Sequence, residues 1–270
     1  MPEGSTANYS VRDEIREFWS ERAATFDESV GHEIFSEAER RGWHRLIRKH
    51  LGEGRGRDAL DLASGTGVIS HLMHDAGFRV TGMDWSEPML AQARAKARTR
   101  KADIRFLMGD AERTMESRGS YDIIVNRHLV WTLVDPAAAA VEWFALLKPG
   151  GKLLVIDGNM GKTTWVAWLR AALTRITGRS FDQPHMSPEM LARHAAIRSR
   201  VHFSDTMPAE AIVALLEAAG FVDVVIDRHL WNIHLAQARK MPFLRALERL
   251  AQDRFAICAT RPQLQADPVS

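Results

Sequence analysis

Apolar positions along this chain form short runs that alternate with helical stripes. The run 59–63 ends in a turn holding Gly65 and Gly67. Val68, Ile69, Leu72 and Met73 then recur at helical spacing until Gly77. A second run, 78–83, ends on Asp84. Strand, glycine turn, helix, strand and acid therefore follow one another within 58–84. Further short apolar runs at 104–108, 121–125, 152–156, 222–226 and 255–260 predict five more strands. Helix starts stand between them: Ser10-Val-Arg-Asp13 has the form of a capping box, and Ser36, Ser86 and Asp135 each precede a helical pattern. Pro136 sits at the first helical position behind its cap. Lys148-Pro-Gly-Gly151 predicts a sharp return from helix to strand. Two segments fall outside this alternation. In 158–206, Trp165, Trp168, Leu169, Ala172, Leu173 and Ile176 form one stripe, and a further helix opens at Ser187-Pro-Glu189. The segment 231–253 reads as an extra loop and helix.

Size and composition narrow the reading. With 270 residues and 46% hydrophobic content, the chain suits one large domain with an insertion. Basic residues number 36 against 34 acidic, so the totals carry no electrostatic footprint for nucleic acid. The single cysteine, Cys258, rules out an internal disulfide and a cysteine-rich metal site, and fits a reducing cytoplasm. His71 and His74 lie three apart on one predicted helix, but no third ligand has standard spacing, so no metal is expected. No signal peptide and no membrane span are expected either.

The stretch 58–84 suits a nucleoside ligand. Its glycines permit close backbone approach, the first helix offers unpaired N–H groups, and an acid at the second strand tip can hold ribose hydroxyls. Dinucleotide binding would call for G-x-G-x-x-G, whereas Asp61-Leu-Ala-Ser-Gly-Thr-Gly67 lacks the third glycine, with Ser70 in its place. The loop instead resembles motif I of class I S-adenosylmethionine methyltransferases, with Ala63 where the first glycine is usual. The segment 146–157, LLKPGGKLLVID, resembles the same family's helix-to-strand return, and 18–28, FWSERAATFDE, resembles the lid of its ubiquinone- and menaquinone-biosynthesis-like members.

The resemblance implies an α/β, Rossmann-like sheet of seven strands in the order 3-2-1-4-5-7-6, the last strand antiparallel, with helices on both faces and a helical cap. It divides the chain into an N-terminal lid (1–57), a cofactor-binding core (58–157), a cap (158–206) and the rest of the core (207–262). It implies S-adenosylmethionine as cofactor and S-adenosylhomocysteine as product. The cofactor residues it implies are Asp61, Ala63, Gly65, Gly67, Asp84, Trp85, Met89, Asp110, Ala111 and Asn126. Asp110 and Ala111 would face the adenine.

Methyl transfer needs an in-line nucleophile and exclusion of water more than it needs a particular catalytic side chain. His128 and Asp157, near the ends of the fourth and fifth strands, are the catalytic candidates, His128 as base or positioning group. Phe18, Phe26, Trp131, Asn159 and Trp165 are the substrate candidates. The expected acceptor is a small molecule with a nitrogen or oxygen nucleophile, and the chain is expected to be a monomer or homodimer. The alternatives are a lipid or quinone acceptor at a membrane surface, intramolecular chemistry on the cofactor, or a non-catalytic cofactor-binding module.

Overall fold

The computed structural model describes residues 10–159, 164–178 and 186–263. Lys162, Arg179 and the tail beyond 263 lie outside them. Seven strands make one sheet: β1 (Asp58–Leu62), β2 (Arg79–Asp84), β3 (Ile104–Met108), β4 (Tyr121–Arg127), β5 (Leu147–Gly158), β6 (Val222–Asp227) and β7 (Arg254–Thr260). Their order is β3-β2-β1-β4-β5-β7-β6. β1 to β5 run parallel, and β7 runs antiparallel to both β5 and β6. The expected order and the expected direction of the last strand are both present. The central strands read as near-continuous apolar runs because helices cover both of their faces.

The helices are α1 (Val11–Arg22), α2 (Glu37–Leu51), α3 (Val68–Asp75), α4 (Glu87–Arg100), α5 (Pro136–Leu146), α6 (Trp165–Thr177), α7 (Pro188–Arg198), α8 (Ala209–Ala218), α9 (Trp231–Ala238) and α10 (Phe243–Ala251). The capping box at Ser10 and Asp13 is formed. One core packs Trp143, Leu146, Leu216 and Phe221 with Leu60 and Val155. The other packs Trp43, Ile47, Leu72 and Met73 with Val80 and Ile156. A third, smaller cluster joins Ile15 and Phe18 of α1 to Ile197 and Val201, at and beyond the end of α7. It brings the N-terminal helix and the insertion together above the carboxyl edge of the sheet.

Two elements differ from the pattern's prediction. β5 starts five residues earlier than expected, because the Pro-Gly-Gly return pairs with the chain after β7: Gly150 N–H donates to Arg261 O and Arg261 N–H to Gly151 O, at 2.9 and 2.8 Å. The segment 231–253 holds two helices, not one. Pro242 separates them, since it cannot continue α9 and stands as the N-cap of α10.

Candidate functional site

The glycine turn after β1 is shaped by left-handed backbone. Ala63, Gly65 and Gly67 have φ of 53°, 54° and 84°. Gly67 leaves little room for a side chain, because a Cβ would meet the Phe106 ring at 3.1 Å and the Ala93 methyl at 3.2 Å. Ala63 has the same handedness with a methyl attached, a conformation that costs an L-residue about 1 kcal/mol. The Gly65 N–H donates to one oxygen of Asp84 at 2.9 Å, and the Ser86 N–H donates to the other at 2.9 Å. The loop and the β2 acid are thus built as one unit.

A cavity of about 710 Å³ opens over the carboxyl edge of the sheet. Asp61, Asp84 and Asp110, beside the tips of β1, β2 and β3, line one part of it. Burial pushes Asp61 up to about 7 and Asp84 up to about 6, against the hydrogen bonds each accepts. Ser70 Oγ donates to Asp61 at 2.6 Å. Asp110 already accepts from Arg12 Nη1 at 2.9 Å and from the Glu112 N–H at 2.9 Å. Ser64 Oγ is buried without a hydrogen-bond partner.

The other part of the cavity is aromatic and cationic. Trp19 of α1 stands edge-on to Phe26 and to Trp131, with ring centroids 6.0 and 6.1 Å apart. His194 of α7 closes on Trp131 at 5.2 Å. Phe26 stacks on His32 at 4.2 Å. Arg22, Arg127, Arg170, Arg245 and Arg254 also line the cavity. None of these arginines, nor His32 or His194, is among the site residues expected from the sequence. Arg254 is the instructive case. It begins β7 opposite Gly158, and only the antiparallel direction of β7 carries its side chain to the carboxyl edge.

The expected cofactor residues fall into two groups. Asp61, Ala63, Gly65, Asp84, Trp85, Met89, Asp110 and Ala111 line the cavity. Gly67 and Asn126 do not. Gly67 shapes the loop as the left-handed N-cap of α3, and Asn126 is fully buried with both side-chain polar atoms unpartnered. Among the substrate candidates, Phe18, Phe26 and Trp131 line the cavity. Asn159 instead accepts from the Met207 N–H at 3.0 Å, and Trp165 is 67% exposed on the outside of α6. No residue of the stripe that singled out Trp165 is fully buried, and the one residue that α6 does bury is Val166, off the stripe.

His128 lines the cavity one residue past β4, with φ of 60°. Its Nε2 lies 3.3 Å from Arg254 Nη1, so Nε2 is the acceptor and Nδ1 carries the proton. Nδ1 faces Asp157 Oδ1 at 3.6 Å. Burial, then Arg254 and Arg127, hold the imidazole well below its ordinary value, so it is neutral at neutral pH. Asp157 does not line the cavity. It is buried behind His128, accepts from the Gly158 and Val130 N–H groups, and is pushed up to about 7 by burial.

A family model described as a methyltransferase domain matches residues 60–155. The demethylmenaquinone methyltransferase of Renibacterium salmoninarum is 30% identical over 177 residues, which cover 64% of this chain and 72% of that one. The demethylmenaquinone methyltransferase of Thermus thermophilus is 30% identical over 188 residues, covering 66% of this chain and 80% of that one. The chain belongs to the class I S-adenosylmethionine-dependent methyltransferases. Phosphoethanolamine N-methyltransferase 2 of Haemonchus contortus, solved with S-adenosylmethionine, shares the fold, with a TM-score of 0.66 at 16% identity. The match covers 97% of this chain and 62% of that one.

The site fits this family's cofactor. Buried carboxylates at successive strand tips suit hydroxyls and an ammonium, and the left-handed loop leaves its backbone approachable, since a Cβ at Gly65 would meet only Phe26 at 3.7 Å. The enzyme is an S-adenosylmethionine-dependent methyltransferase.

Proposed function

We propose that the methyl acceptor is a small molecule held in the aromatic and cationic part of the cavity, beneath α1 and α7. One observation carries this reading: a single cavity joins the acids beside β1, β2 and β3 to a second region lined by Trp19, Trp131, His128 and Arg254. S-adenosylmethionine supplies a methyl group on a sulfonium leaving group. Asp84 and Asp61 would hold its ribose and ammonium, and Trp85, Met89 and Ala111 would flank its base. The chain's own contribution is orientation and exclusion of water by α1 and α7, whose residues line the cavity. The Nε2 lone pair of His128 is directed at Arg254, so His128 positions its neighbour and does not take a proton, and Asp157 supports it from behind. The cover of α1 and α7 suits a small acceptor and not a nucleic acid, and nothing in this reading requires more than a monomer or homodimer.

A second reading, a quinol acceptor, is favoured by the names of the curated relatives and by the flat aromatic walls. Among the described residues no helix is long and apolar enough to cross a membrane. Isotope-labelled methyl transfer, run against amines, phenols and a short-chain demethylmenaquinol, tests both readings. The expected products are labelled acceptor and S-adenosylhomocysteine. Methylthioadenosine as the product would overturn methyl transfer in favour of intramolecular chemistry. His128→Asn should lower kcat/KM by less than roughly 10²-fold and keep the pH profile, whereas a base would cost about 10²–10⁴-fold and remove a limb of that profile.

A further inference from the structure

We propose that the acceptor is an anion, and that Arg254 receives its carboxylate or phosphate group. This rests on the reading of the cavity as the methyl-acceptor site. The cavity has two electrical ends. The end that suits a cationic cofactor carries Asp61, Asp84 and Asp110. The other end carries Arg254 without a counter-charge. Arg254 Nε donates to Gln252 Oε1 at 3.1 Å and Nη1 to His128 Nε2 at 3.3 Å, and both partners are neutral. Among the described residues no carboxylate comes within 4.0 Å of its guanidinium.

The neighbouring charges do not supply what Arg254 lacks. Asp157 is the acid among the described residues that acts on it, and Asp157 is itself held near 7 by burial. Arg249 and Arg127 repel it. Arg170 and Arg245, which also line the cavity, pair with Glu248 at 3.3 and 3.2 Å. A half-buried guanidinium without an anion is costly, and a planar fork of N–H donors on a cavity wall matches a carboxylate or phosphate in both charge and shape. The geometry also gives His128 a purpose. Donation from Arg254 to Nε2 sets the Nδ1–H tautomer, Asp157 lies 3.6 Å behind it, and the Nε2 lone pair fixes the guanidinium plane toward the cavity, which makes His128 a positioning residue for Arg254.

The cofactor has a carboxylate too, so the test must separate the two anions. Enzyme saturated with S-adenosylhomocysteine is titrated with benzoate, phenyl phosphate and uncharged benzamide by calorimetry. At least one of the two anions should bind roughly tenfold or more tightly than benzamide, as a charge-assisted bond implies. Preference for phenyl phosphate would mark a phosphate ester as acceptor, and preference for benzoate a carboxylic acid. Arg254→Met should erase the preference while S-adenosylhomocysteine affinity stays within about twofold. Arg254→Lys, which keeps the charge without the fork, should retain part of it. His128→Asn should weaken anion binding a few-fold and leave cofactor affinity alone. Equal binding of benzamide, or no saturable anion binding, would overturn the proposal. Loss of S-adenosylhomocysteine affinity in Arg254→Met would overturn it too, by assigning the arginine to the cofactor. Failure of the wild-type enzyme to bind S-adenosylhomocysteine at all would instead bring down the underlying reading of the cavity, and this proposal with it.

Discussion

Ala63 shows how much one residue can reveal and how much it can hide. Its place in motif I was legible, because an alanine where a glycine is usual stands out in the sequence. Its φ of 53° was not legible, and that angle makes the substitution a source of strain. Ala63→Gly should relieve the left-handed alanine and raise stability by about 1 kcal/mol, offset in part by the greater freedom glycine has in the unfolded chain. Urea unfolding at equal m-value measures it, and a lower midpoint would show that the alanine methyl packs favourably. Arg254 is the reverse case. An arginine before an apolar run reads as a solvated strand end. Its place in the cavity wall depends on register, opposite Gly158 in an antiparallel pair, and register is a property of two distant segments. The direction of the last strand, already implied by the resemblance, was the signal that could have found it.

At the scale of elements, the sequence located the strands well because each is a short apolar run closed by turn chemistry. It located the lid helix through its capping box. What it could not show is how the lid is fastened. Thr66 Oγ1 in the motif loop donates to Asp27 at 2.6 Å, and Lys96 of α4 reaches the same Asp27 at 2.7 Å. Gln92 Nε2 donates to Ala23 O at 2.7 Å. These side chains lie 39 or 69 positions from their partners, beyond any local pattern. They connect loop, lid and α4, so the lid should respond to what the loop binds. Hydrogen exchange across 11–28 should slow when S-adenosylhomocysteine binds. Thr66→Val, which removes one bond to a carboxylate, should weaken that protection and raise the ligand's off-rate by roughly fivefold, for about 1 kcal/mol. Unchanged exchange and off-rate would mean that the Thr66 bond does not couple the loop to this segment.

For the molecule as a whole, the acids that make the site also act on stability. Asp61 and Asp157 are held near 7 and Asp84 near 6, each chiefly by burial. Each binds its proton more tightly in the folded chain than in the unfolded one. The stability each contributes is therefore fully present below pH of about 4, the ordinary carboxylate range, and is lost as pH rises through 6 to 7. Asp227 runs the other way. Lys49 and His50 hold it well below the ordinary range, so its contribution is present at neutral pH and lost only in strong acid. The ligand-free enzyme thus approaches its working pH with buried carboxylates ionising in its cavity, and a cationic ligand offsets that cost. Asp61→Asn isolates the effect, because Ser70 Oγ can still donate to the amide oxygen. Without ligand, the variant should match the wild type near pH 4. At pH 8 it should melt higher, by roughly 3–6 °C for an advantage of 1–2 kcal/mol. It should also lose most of the thermal upshift that S-adenosylmethionine gives the wild-type enzyme, an upshift expected to grow between pH 6 and 8 as Asp61 ionises. Thermal scans of both proteins across that range, with and without the cofactor, measure every term. A variant that melts lower than wild type at pH 8 would show that ionised Asp61 is compensated from within the fold, and the site would then be built for its carboxylate at no cost in stability.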